Sequence, residues 1–75
     1  MTYHVQALWD AAASVWVATS HDVPGLVAEA PTLEGLVDDI RALVPDLLEL
    51  NRVPHPARID IALTAERSEA IEMAA

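Results

Sequence analysis

Seventy-five residues make one domain at most, and a chain this short buries only about 60% of the surface its unfolded form exposes. That leaves little room for a deep catalytic cleft with its supporting shell. Twelve Asp and Glu against four Arg and no Lys give a net charge of −8, which repels nucleic acid and suits a basic protein surface.

The chain contains no cysteine, which excludes disulfides and thiolate chemistry and fits a reducing compartment. No apolar run reaches the roughly 18 residues a membrane span requires. Met1-Thr2-Tyr3-His4 lacks the basic and apolar regions of a signal peptide, so the expected location is the cytoplasm. The apolar fraction is 53%, more than a small core hides, and points to burial against a second copy or another protein.

Residues 3–9 mix polar and apolar positions at period two, as a half-buried strand does. After the short connection Asp10–Ser14, the β-branched and aromatic run 15–19 predicts a second strand and a hairpin. Its register is open: Trp9 falls opposite either Trp16 or Val15, and a one-residue slip exchanges the faces. Pro24-Gly25 marks a turn, and residues 26–30 read as a third strand.

Thr32 suits an N-cap with Glu34 in the first turn. Leu33, Leu36, Val37, Ile40, Leu43, Val44, Leu47 and Leu48 repeat at helical spacing. A helix over about 32–50 is expected, bent or restarted at Pro45. Residues 51–56 form a loop with two prolines, and 57–65 alternate cleanly, with Ile59, Ile61 and Leu63 on one side and Arg58, Asp60, Ala62 and Thr64 on the other. The domain is expected to span 1–65, with 66–75 a tail that frays or adds a helical turn.

The expected class is α+β, in the order β-β-β-α-β: a four-stranded, mainly antiparallel sheet with one main helix on one face. A single helix covers one face only. The other should carry some of Tyr3, Val5, Trp9, Val15, Trp16 or Val17, according to register, and that leftover surface predicts a homodimer or higher homo-oligomer, or a partner.

The spaced set Trp9-Asp10, Val15 to Ser20, Asp22-Val23-Pro24-Gly25-Leu26, Glu29-Ala30, Thr32-Leu33-Glu34 and Pro45 to Asn51 resembles a compact bacterial subfamily grouped with the HicB-like antitoxins. The resemblance covers roughly residues 3–65. It implies a partial ribonuclease H-like fold without nuclease chemistry, and a protein that neutralises a small, basic, mRNA-cleaving HicA-like toxin by covering its RNA-binding or catalytic surface. Many such antitoxins also carry a C-terminal DNA-binding module. Only ten residues follow Ala65 here, so no direct contact with nucleic acid is expected.

A nuclease reading would require converging carboxylates to hold metal ions. The candidates are Asp10, Glu34, Asp38, Asp39 and Asp60, and if Ile59, Ile61 and Leu63 face the helix, Asp60 lies across the sheet from the helical acids. His4, His21 and His55 lack metal-ligand spacing, the serines lack a nucleophile elbow, and two glycines make no phosphate-binding loop. No catalytic residue, metal or cofactor is expected. Partner contacts are assigned to Trp9 and Trp16, which bury large area and offer an N–H, and to the acidic residues Asp10, Asp22, Glu29, Asp38 and Asp39. The alternative is a stand-alone oligomeric protein of this fold that binds a small molecule or an unrelated protein. A degenerate nuclease is the third reading.

Overall fold

A computed structural model describes residues 1–74. Its elements are β1 (Thr2–Asp10), β2 (Val15–Thr19), β3 (Val27–Ala30), α1 (Leu33–Leu50) and β4 (Asp60–Glu66), in one sheet of order β3-β2-β1-β4. The architecture is α+β, as the sequence predicts. The sheet is mixed: β1–β2 and β2–β3 pair antiparallel, whereas β4 returns beside β1 in parallel. A parallel neighbour requires a crossover, which α1 and the loop after it supply.

The hairpin register places Trp9 opposite Trp16 and Ala7 opposite Ala18. With period-two alternation, this fixes both faces. Tyr3, Val5, Ala7 and Ala18 face the helix and are buried, and Trp9 and Trp16 share that side, half-buried. Of the residues expected on the other face, only Val15 and Val17 lie there, joined by Leu8 and Val27.

The row Ala7–Ala18–Ala28 runs across three strands beneath the helix. Side chains this small let α1 lie close to the sheet, and Leu36, Ile40, Val44 and Leu48 fill the space between. The helix sits over β3 and β2, away from β4, so Ile59, Ile61 and Leu63 are only partly covered. Tyr3 Oη, inside the core, finds no hydrogen-bond partner among the described residues.

Both ends of α1 are closed by local chemistry. Thr32 Oγ1 accepts the Gly35 N–H at 3.0 Å. At the far end, Val53 N–H donates to Leu48 O and Arg52 N–H to Glu49 O, the paired bonds of a Schellman cap, with Arg52 in the left-handed region at φ 54° where glycine is usual. Asn51 Nδ2 also donates to Pro24 O and Leu47 O, tying the helix end to the Val23–Leu26 turn, in which Gly25 takes φ 78°. The helix runs unbroken through Pro45; the proline is exposed, on the side where water can reach the Arg41 carbonyl that it leaves without an N–H.

Residues 67–74 form no helical turn. A segment this short does not meet the cost of helix nucleation without a surface to pack on. Its last residue, Ala75, lies outside the described residues.

Candidate functional site

Among the described residues no helix or strand packs on the face of the sheet away from α1, and the register orders that face in rows. One row reads Glu66–Leu8–Val17–Glu29 from β4 to β3: two apolar side chains with a carboxylate at each end. The next reads Thr64–Gln6–Thr19–Val27. Beyond the first row, toward the hairpin loop, lie Asp10 and Val15. Leu8 is 55% exposed and Val27 68%, large values for aliphatic side chains at mid-strand positions. A shallow hollow of about 240 Å³ indents this face between β1 and β4, beside Gln6, Leu8, Thr64 and Glu66.

Three carboxylates, Asp10, Glu29 and Glu66, therefore surround an apolar pair, and none of them takes part in an ion pair among the described residues. Arg58 is paired with Asp60 at 3.6 Å, at the opposite end of β4. An apolar centre with an anionic rim has the chemistry of a docking surface for a basic protein.

The residues singled out in the sequence do not form one cluster. Asp10 and Glu29 lie on the open face. Asp10 also closes the hairpin, its Oδ1 accepting the Ala12 and Ala13 N–H groups at 3.1 and 3.3 Å. Trp9 and Trp16 lie on the helix side, packed edge to face with ring centroids 5.4 Å apart, and the Arg67 guanidinium sits 4.3 Å from the centre of the Trp9 ring. Trp16 packs against the core. Asp38 and Asp39 are on the solvent side of α1, across the whole thickness of the domain from the open face.

Asp22 serves the fold. Past the Gln6–Thr19 pair β2 turns away, and His4 would lose its strand partner. Asp22 Oδ2 accepts the His4 N–H at 2.7 Å, and Ser20 Oγ donates to His4 O at 2.6 Å. The same Ser20 oxygen accepts from the Asp22 and Val23 N–H groups. Two side chains thus extend the ladder by one residue and set the Asp-x-Pro-Gly turn.

His4 and His21 border a hollow of about 170 Å³ with Ser20 and Asp22, but the serine and aspartate there are committed to the backbone. His55 lies in the loop with Nδ1 2.9 Å from Pro56 O. Ile59, Ile61 and Leu63 do face the helix, so Asp60 is on the open face and Glu34, Asp38 and Asp39 are beyond the other. Among the described residues no group of three or more His, Asp or Glu is placed to hold a metal ion, and no helix is long and apolar enough to cross a membrane.

Leu8 and Glu66 were not among the residues the sequence pointed to, and Val17 was expected on the uncovered face without being named as a partner contact. The signal that could have found them is the pairing of Trp9 with Trp16, since that one choice of register sends Leu8 and Val17 outward together.

These features define a small α+β domain with a mixed four-stranded sheet covered on one face. The chain belongs to the family described as Domain of unknown function (DUF1902), which matches residues 2–75. It is also similar to a solved structure, the hypothetical protein TTHA1013 from the extremely thermophilic bacterium Thermus thermophilus. The two share 48% sequence identity with a TM-score of 0.84, over 95% of this chain and all of that one. No curated protein matches the chain.

Proposed function

We propose that this protein is an antitoxin-like binding module that neutralises a basic, HicA-like, mRNA-cleaving toxin by covering its RNA-binding or catalytic surface. The row Glu66–Leu8–Val17–Glu29 carries this reading. A ribonuclease surface built for phosphates is cationic. Carboxylates at the edges of the open sheet would take the place of those phosphates, while Leu8 and Val17 supply desolvated contact area at the centre. The charge of −8 adds long-range steering to the encounter. Binding, with no chemical step and no cofactor, is the whole of the activity in this reading, and the cytoplasm, where such a toxin meets mRNA, is its place.

The neighbouring reading frame is expected to encode a short basic protein, and the test is co-expression with that neighbour. The expected result is co-purification and suppressed toxicity, both lost in Leu8→Arg or Val17→Arg and kept in Asp38→Asn. A neighbour that does not bind, or toxicity that persists with both proteins present, would overturn the proposal. Capture that survives both arginine substitutions would move the contact to another face.

A further inference from the structure

The helix side of the sheet has a second unfilled surface. Because α1 lies toward β3, a groove of about 320 Å³ opens between α1 and β4, bordered by Val37, Arg41, Ile59, Ile61 and Leu63, and at its end by Asp60, whose carboxylate is paired with Arg58 at 3.6 Å. Its outer wall is β4, an edge strand with one free row of backbone N–H and C=O groups, which readily accepts another strand. Arg41 projects beside the groove and pairs with no carboxylate among the described residues, although acids outnumber bases twelve to four.

The tail has the complementary character. Residues 67–74 are all exposed, Ile71 at 81% and Met73 at 86%. The radius of gyration is 14.8 Å, against about 11 Å for a compact domain of this length. A chain extended from residue 60 to 74 spans about 50 Å, which accounts for most of the 57 Å long axis. The tail therefore continues outward from β4, away from its own groove. In strand form, Glu69, Ile71 and Met73 fall on one side of it: one acid and two apolar groups, matching a groove with one unpaired cation, Arg41, and four half-covered aliphatic side chains, Val37, Ile59, Ile61 and Leu63. Glu69 is held by Arg67 at 2.6 Å on the surface, and exposed pairs of this kind exchange at little cost.

We propose that the tail is an exchange arm and that its receptor is a second copy of this chain. Each protomer lays residues 69–74 along the free edge of β4 of the other, with Ile71 and Met73 in the groove beside α1 and Glu69 against Arg41. The exchange is reciprocal about a two-fold axis, so every contact occurs twice and the assembly closes as a dimer. It uses the β4 edge and the groove on the helix side, leaves the row Glu66–Leu8–Val17–Glu29 uncovered, and does not depend on the antitoxin reading.

Sedimentation equilibrium of the full chain tests this directly. The expected mass is twice the 8.1 kDa of one chain. Ile71→Ser/Met73→Ser should return it to one chain that keeps the cooperative urea unfolding of the folded body. Arg41→Glu should raise the dimer dissociation constant roughly tenfold, and Arg41→Glu/Glu69→Arg should restore it. Because the native chain has no cysteine, a mixture of Val37→Cys and Ile71→Cys single variants should give a mixed disulfide dimer on oxidation. A monomeric full chain, a dimer indifferent to the serine pair, or a disulfide that forms only when both cysteines share one chain would each overturn the proposal. None of these readouts involves a toxin, so failure here leaves the binding test intact.

Discussion

Single residues in this domain take on work that the backbone cannot do. Ser20 and Asp22 stand in for a missing strand residue opposite His4, which makes an acidic surface residue part of the sheet. Arg52 occupies a left-handed cap position that costs an L side chain about 1–2 kcal/mol. Arg52→Gly should therefore raise unfolding stability by about 0.5–1 kcal/mol, after the added flexibility of the unfolded chain is subtracted, as read from urea denaturation. Tyr3 carries the opposite kind of cost, a hydroxyl buried with no partner among the described residues. Tyr3→Phe removes that oxygen and keeps the ring, and should leave stability unchanged or raise it by about 1–2 kcal/mol. A loss of more than about 1 kcal/mol in the same titration would mean that the hydroxyl is satisfied.

At the scale of elements, the distance between α1 and the sheet is set by alanine. The row Ala7–Ala18–Ala28 is buried across three strands, and a larger side chain at its centre must lift the helix or distort its own rotamer. Ala18→Leu should cost about 1–3 kcal/mol, measured by denaturant titration, although it adds apolar volume. The elements themselves were legible in the sequence because each has a local signal: the Leu33–Leu48 stripe, the Thr32 cap, the Pro24-Gly25 turn and the alternation through Ile59, Ile61 and Leu63. What pairs with what was not. Nothing local to residues 57–65 says that this strand lies parallel to β1, since crossover direction is a property of the packed whole. The candidate site depended on the same missing information. Trp9 and Trp16 looked like partner contacts as large aromatic residues in a short chain, and the register turns both to the helix side. Leu8 was hidden by its neighbours, because one Leu between an Ala and a Trp gives no sign of which side is wet. Asp10 and Glu29 could be named from charge alone, but that they flank an apolar row required the strand order.

For the molecule as a whole, the two faces of the sheet divide the uncovered apolar surface between them. The open face is ringed by acids, and the groove beside α1 holds an arginine and matches the tail. Long-range attraction and close contact at the open face respond differently to salt. Steering toward a basic partner acts over distances comparable to the Debye length, about 10 Å at 0.1 M and about 3 Å at 1 M ionic strength. The association rate with the proposed toxin should fall steeply over that range in stopped-flow measurements. Its dissociation rate, governed by the Leu8 and Val17 contacts, should change far less. An association rate independent of salt would remove the long-range role assigned to the −8 charge.

The tryptophan pair gives the domain an optical probe of its own. Trp9 and Trp16 are its two tryptophans, and Arg67, at the root of the tail, is stacked on one of them. A fixed positive charge over an indole changes its emission, and two indoles at edge-to-face distance give a coupled signal in the ultraviolet dichroism. Any event that draws the tail away from the body should therefore alter the native fluorescence without a dye or a label, and Arg67→Ala should abolish the change.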